Sequence, residues 1–322
     1  MPETKLQSAV ACLALDPEKF SDPNITAKGE QRAVVALTNL KTLWFNTGSL
    51  CNISCQNCYM DSTPKNDSLA YLSVLDVEKY LDEIVEENLP VKEIAFTGGE
   101  PFMNKALIEM LEISLERGYR ALVLTNAMLP MHHRFDDLLR LKSHYADKLA
   151  IRVSIDHYTR DKHEAIRGEA TWEPMLTGLK WLAKNGFILT VAGRTCWHES
   201  DDEARSGYAH LFTANDIPIE ADQPAALVLF PEMDSTQDVP EITIHCWDIL
   251  GVAPETMMCA TSRMIIKRKG SEGPLVVPCT LLPYSPEFEL GQDLGGSSKT
   301  VKLNHPHCAR FCVLGGASCS VE

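Results

Sequence analysis

Six short apolar runs, rich in β-branched and aromatic residues, punctuate the first two thirds of the chain, and amphipathic stretches separate them. The runs are KTLWFN (41–46), KEIAF (92–96), RALVL (120–124), LAIRVSI (149–155), FILTVAG (187–193) and ALVLF (226–230). Each is too short for a helix and nearly continuous in its apolar character, which reads as a strand buried on both faces. Between them Val74, Leu75, Val77, Tyr80, Leu81, Ile84 and Val85 recur at helical spacing. The stretch NKALIEMLEISLERG stops at Gly118 and WEPMLTGLKWLAKNG at Asn185-Gly186, both natural helix ends. Strand–helix alternation this regular requires a parallel sheet with crossover helices, since parallel neighbours cannot be joined by a tight hairpin. An α/β fold follows, either a doubly wound sheet or a TIM-like barrel, whole or partial.

The regularity lapses near residue 235. Beyond it Gly and Pro recur in KGSEGPLVVPC, LLPYSPEFELG and LGGSS, and cysteines become frequent. The expected organisation is an N-terminal extension (1–40), a core (41–235) and a small cysteine-rich appendage (236–322). The 322 residues, 45% of them hydrophobic, suffice for such a core. A formal charge of −14 speaks against a surface that tracks nucleic acid, which needs basic stripes. No apolar run reaches the ~18 residues of a membrane span. The first twenty residues lack the charge order and cleavage site of a signal peptide, so the expected location is cytoplasmic. Eleven cysteines in a reducing compartment point to metal or catalysis before disulfides.

Three of them, Cys51, Cys55 and Cys58, crowd into SLCNISCQNCYMD directly after the first strand. In a parallel sheet that is the end where loops carry chemistry. Thiolates suit iron–sulfur cores, and three of them on one loop hold three irons of a cubic cluster while leaving the fourth open to a small chelate. A zinc site is the competing reading, but no histidine lies between Cys58 and His132 to complete it. Cys12, Cys196 and Cys246 show no partner pattern and read as buried small hydrophobes.

The Cys51-x3-Cys55-x2-Cys58 triad, followed by FTGGEPF (96–102) after the second strand, resembles the radical S-adenosylmethionine (radical SAM) superfamily. The resemblance implies a partial (β/α)6 TIM-like barrel, a 4Fe–4S cluster on Cys51, Cys55 and Cys58, and S-adenosylmethionine (SAM) on the open iron. It assigns Gly98, Gly99 and Glu100 to the amino group of the methionine moiety. Ser154, from SID at the fourth strand's end, and Arg167, from HEAIRG, become candidates for its carboxylate and ribose. Many members carry an aromatic residue just before the third cysteine. Here that position is Asn57 and the aromatic, Tyr59, follows, making Tyr59 the candidate adenine contact. The implied chemistry is reductive cleavage of SAM to methionine and a 5′-deoxyadenosyl radical that abstracts hydrogen from a substrate. An electron donor such as flavodoxin or ferredoxin would supply the electron.

In the tail, MIIK and LVVPC read as a β-hairpin around a glycine-bearing turn, which brings Cys259 and Cys279 near its ends. With Cys308, Cys312 and Cys319, and the VVPC and ELG landmarks, this resembles the SPASM/Twitch extension. The resemblance implies a second, auxiliary 4Fe–4S cluster; Cys259, Cys279 and Cys308 are its first three ligands, Cys312 the fourth and Cys319 the reserve. A zinc knuckle is the competing reading. The expected function is an oxidoreductase acting on a small polar metabolite, with maturation of a ribosomally made peptide or protein as the alternative. A non-catalytic iron–sulfur or zinc-binding protein is the reading outside enzymology. No acid–base residue is assigned.

Overall fold

The computed structural model describes residues 14–145 and 147–316. In chain order the strands are β1 (Val34–Val35), β2 (Thr42–Asn46), β3 (Glu93–Thr97), β4 (Arg120–Thr125), β5 (Leu149–Ser154), β6 (Ile188–Arg194), β7 (Leu227–Phe230), β8 (Ser262–Ile266), β9 (Leu275–Val277) and β10 (Val301–Lys302). The helices are α1 (Val74–Glu86), α2 (Leu107–Glu116), α3 (Leu129–His132), α4 (Phe135–Tyr145), α5 (Arg160–Arg167), α6 (Trp172–Lys184), α7 (Asp201–Ala214), α8 (Cys246–Leu250) and α9 (Met258–Thr261). Strands β2 to β7 are the six apolar runs.

They lie side by side in sequence order, each parallel to the next. A doubly wound sheet reverses its strand order at a switch point, which sends helices to both faces. Here the order never reverses, so right-handed crossovers put the crossover helices on one side, as in a barrel. The period-two alternation of the strands divides the core accordingly. Leu43, Phe45, Ile94, Phe96, Val123, Ile151 and Val191 pack outward against the helices. Trp44, Ala95, Leu122, Leu124, Ala150 and Ala192 face inward. Alanines alternate with bulky neighbours, and the inner face is left with room.

The tail fills part of that room. The expected hairpin forms, with Met264 opposite Val277. It is also part of the main sheet: β8 lies parallel to β2, from Thr42 opposite Ser262 to Phe45 opposite Ile265. The sheet order is therefore β7-β6-β5-β4-β3-β2-β8-β9. Every residue of β8 is buried, and a strand buried on both faces belongs inside a sheet covered on both sides. Phe311, Leu281, Leu282 and Met258 then pack with the inward row of the barrel. The N-terminal segment joins the same layer through the small antiparallel ribbon of β1 and β10.

Candidate active site

The chain leaves β2 at Asn46 and enters the cysteine loop at the C-terminal edge of the parallel strands. Irregular backbone there needs partners outside any ladder, and several elements supply them. Ser49 N–H donates to the Leu69 carbonyl at 3.1 Å and Cys51 N–H to that of Thr63 at 3.1 Å. Gln56 N–H donates to the Ile166 carbonyl, in the last turn of α5, at 2.8 Å. From the end of β6, Arg194 donates to the carbonyls of Gln56 at 3.0 Å and Asn57 at 3.4 Å, and pairs with Glu232 at 2.8 Å. From the tail, the Tyr284 hydroxyl donates to the Met60 carbonyl at 2.7 Å. Asn57 has a φ of 50° and its amide reaches Glu232 at 3.0 Å. Asparagine tolerates that left-handed geometry better than an aromatic side chain, which accounts for the departure from the more common residue.

The loop overhangs a cleft of two joined lobes. Cys51, Cys55, Cys58, Gly98, Gly99 and Asn126 line the first. Asn57, Asp156, Arg194, Phe230, Met233 and Phe311 help line the second. Cys55, Cys58, Tyr59, Leu124, Ser154 and Arg167 border both lobes. Of the first-cluster and SAM residues expected from the sequence, all but Glu100 thus sit on the surface of one cleft.

Glu100 is brought to the cleft's wall but turned beneath it. It is 1% exposed, and its carboxylate is occupied. One oxygen accepts from Phe102 N–H at 3.2 Å and the Thr125 hydroxyl at 2.9 Å; the other accepts from Asn126 N–H at 2.9 Å. Burial pushes its pKa up to about 7 against the pull of those donors. The side chain ties the β3 loop to the end of β4, and the surface it leaves for an ammonium is the backbone of Gly98 and Gly99. Those glycines are required for packing. A Cβ on Gly99 would stand 2.1 Å from the Leu50 carbonyl oxygen, and one on Gly98 2.6 Å from that of Gly48. The two loops meet backbone to backbone, with Gly99 N–H donating to Gly48 at 2.9 Å and Glu100 N–H to Leu50 at 3.1 Å.

Arg167 forms a two-point pair with Asp156, Nε to Oδ2 at 2.9 Å and Nη2 to Oδ1 at 3.2 Å. Burial disfavours its charge, but Asp156 and the thiols of Cys55 and Cys51 outweigh that and hold its pKa above the usual arginine range. Burial also pushes the Cys51 thiol up to about 12 and that of Cys55 to about 11, although Arg167 pulls the latter down. These sulfurs are neutral until iron displaces their protons. Sequence reasoning missed Asn126, whose amide stands 4.0 Å from the Cys51 sulfur and 2.8 Å from Asn52 Oδ1. It also missed Asp156 and the Arg194–Glu232 pair. A charged residue directly after an apolar run, as in FILTVAGR, was the available signal.

A second cavity lies inside the tail. Its walls are Met257, Leu281, Leu282, Val301, Leu303 and four cysteines: Cys259, Cys279, Cys308 and Cys312. Cys319 lies outside the described residues, as does Cys12. The segment Cys308–Leu314 is a π-helix that serves both sites: it gives Cys308 and Cys312 to this cavity and Phe311 to the cleft. Burial pushes the Cys259 thiol up to about 11 and that of Cys308 to about 12. Among the described residues no three His, Cys, Asp or Glu side chains draw together as around a single ion. Four thiols spread around an apolar hollow fit the donor set of a cubic cluster, which takes each ligand at a different iron corner. Cys196 and Cys246, expected to be buried, are only half-buried. Each has a polar neighbour, Glu232 for the first and Thr243 for the second, so neither sits in a purely apolar site.

Comparison with protein families matches residues 45–210 to the Radical SAM superfamily, a span holding the triad, FTGGEPF, Ser154 and Arg167. The chain belongs to the radical SAM superfamily. A 4Fe–4S cluster and SAM are the cofactors of that superfamily, and the thiol triad and glycine-walled cleft fit them. Among curated relatives, the Antilisterial bacteriocin subtilosin biosynthesis protein AlbA of Bacillus subtilis is 27% identical over 172 residues, 51% of this chain and 37% of AlbA. Fe-coproporphyrin III synthase of Methanosarcina barkeri is 29% identical over 148 residues, 44% of this chain and 34% of the synthase. The chain thus matches little more than a third of the length of each. Streptococcus suis SuiB bound to its precursor peptide SuiA shares the fold, with a TM-score of 0.58 at 12% identity over 80% of this chain and 63% of SuiB. Among the described residues no helix is long and apolar enough to cross a membrane.

Proposed function

We propose that this chain is a radical SAM oxidoreductase with one auxiliary 4Fe–4S cluster, and that its substrate is a peptide. When bound, the first cluster and SAM supply reductive cleavage to methionine and a 5′-deoxyadenosyl radical. The chain's own residues position that chemistry. Cys51, Cys55 and Cys58 hold the cluster on a loop that Arg194, α5 and Tyr284 keep in place. The Gly98-Gly99 backbone offers carbonyls to the ammonium of the methionine moiety. Arg167, held in one orientation by Asp156, faces the carboxylate or ribose with Ser154, and Tyr59 lies beside the third cysteine where the adenine would reach. Cys259, Cys279, Cys308 and Cys312 would hold the auxiliary cluster.

The observation that carries this reading is the double service of the Cys308–Leu314 helix, with Phe311 in the cleft wall and Cys308 and Cys312 behind it. An electron left on the substrate after hydrogen abstraction would have an acceptor directly behind that wall. The small polar metabolite expected from the sequence yields to a peptide for two reasons. The second lobe is walled by Phe230, Met233 and Phe311, and both of its arginines already face carboxylates, which suits an apolar side chain. By their descriptions, AlbA serves biosynthesis of the bacteriocin subtilosin and SuiB binds a precursor peptide.

Two measurements test it. Anaerobically reconstituted protein should hold about eight irons and eight sulfides; Cys312→Ser should drop to about four, with Cys319→Ser unchanged. In the second, release of 5′-deoxyadenosine is followed with dithionite as reductant. Pooled synthetic peptides with apolar side chains should accelerate it, and pooled small polar metabolites should not. The reverse pattern would return the substrate to the metabolite class. About four irons with one zinc in the unsubstituted chain would make the tail a structural knuckle.

A further inference from the structure

Arg263, in β8, is fully buried and belongs to none of the machinery described so far. Its guanidinium points only at backbone. Nε donates to the Ser297 carbonyl at 2.9 Å, Nη1 to Cys259 at 2.6 Å and Ser262 at 2.8 Å, and Nη2 to Lys299 at 3.4 Å. Among the described residues it makes no ion pair. Two other arginines with little exposure are treated differently: Arg32 has Glu241 at 2.6 Å and Arg167 has Asp156 at 2.9 Å. Carbonyl dipoles satisfy the N–H groups but leave a net positive charge in a low-dielectric interior, where an uncompensated ion is strongly destabilising.

The ionisable groups that act on Arg263 are the thiols of Cys259 and Cys279, two walls of the tail cavity. Protonated thiols give it no counter-charge. Thiolates bound to a cubic cluster do, because iron, sulfide and four thiolates together carry net negative charge, which grows by one electron on reduction. We propose that Arg263 is the resident counter-cation of the auxiliary cluster and raises its reduction potential. This rests on the auxiliary-cluster reading above. Net charge near a cluster is one of the protein's levers on potential, and a buried cation favours the more negative, reduced form. Beside Cys51, Cys55 and Cys58 the arginines are paired instead, Arg167 with Asp156 and Arg194 with Glu232.

The test uses the full chain carrying Cys51→Ser, Cys55→Ser and Cys58→Ser, so that only the tail cluster reports, followed by potentiometric titration with electron paramagnetic resonance. Arg263→Gln should shift the reduction equilibrium at least tenfold toward the oxidised form, about 59 mV for a one-electron couple. Arg263→Lys, which keeps the charge without the planar fork, should stay close to the parent. Loss of iron from the Gln variant alone would equally support a counter-charge. An unmoved potential in the Gln variant, an equal fall in both, or loss of iron from both would overturn the inference, leaving Arg263 a packing residue. Absence of iron from the triple-serine parent itself would instead overturn the auxiliary-cluster reading, and the inference with it.

Discussion

Replacing Glu100 by Gln sets two effects on one side chain against each other. Burial favours the neutral acid, while three donors within 3.2 Å favour the carboxylate. Burial wins, so the pKa rises from 4.5 to about 7 in the folded chain. Between those values the native protein keeps a proton that the unfolded chain has released. Stability therefore falls as pH rises through this window, and the penalty is complete above pH 7. At about 1.4 kcal/mol per pH unit it amounts to about 3 kcal/mol. Gln is neutral throughout and escapes this dependence, but its amide must point N–H groups at one of the donors. A buried N–H left without an acceptor costs about 1–3 kcal/mol at every pH. The parent should accordingly be the more stable by about 1–3 kcal/mol near pH 5, and the gap should close or invert by pH 8. Anaerobic urea unfolding of both proteins in parallel, followed by tryptophan fluorescence, measures the difference and cancels the other titrating groups. A gap constant to within about 1 kcal/mol from pH 5 to 8 would refute the reasoning, since it would mean the three donors keep Glu100 ionised throughout.

Two further substitutions probe the meeting of the loops. Gly99→Ala has no space for its Cβ against the Leu50 carbonyl and should destabilise the fold by about 1–3 kcal/mol or more. Iron on the Cys51 loop should fall with it while tail iron is retained, and equal iron in both proteins would show that the loops can separate freely. Arg194→Met removes the donors to Gln56 and Asn57, solvent-exposed charge-assisted bonds worth together about 1.5–3 kcal/mol. Release of loop iron to a chelator should become at least about tenfold faster. An unchanged rate would mean that α5 and Tyr284 suffice to hold the loop.

The strands, the triad and the crossover helices were legible because each is written in local periodicity or spacing. What was not legible depended on partners distant in sequence. Nothing in MIIK says that its edge would meet β2, more than two hundred residues earlier, although burial on both faces required some sheet to receive it. Arg194 and Glu232 are 38 residues apart and meet only because β6 and β7 end side by side. GGEP read as an open acceptor for a cation, but the direction of Glu100 follows from backbone geometry. Gly98 at a φ of 142° and the turn capped by Glu100 aim the carboxylate under β4.

The tail cysteines show the same distinction between a motif and its setting. Cys308 and Cys312 are separated by three residues. On a helix, residues four apart share a face and the residue between them nearest the second lies on another. The gap is thus the spacing that lets one short helix turn two thiols toward the tail cavity and Phe311 toward the cleft. A tighter pair would give up that arrangement, and with it the contact between the two sites. At the other end of the cavity the chain passes from α9, which carries Cys259, into β8, and the guanidinium of Arg263 folds back onto the Cys259 carbonyl at 2.6 Å. The element on which each thiol sits, more than ligand count, thus determines which side chains stand between the two sets of thiols and which charge stands behind them.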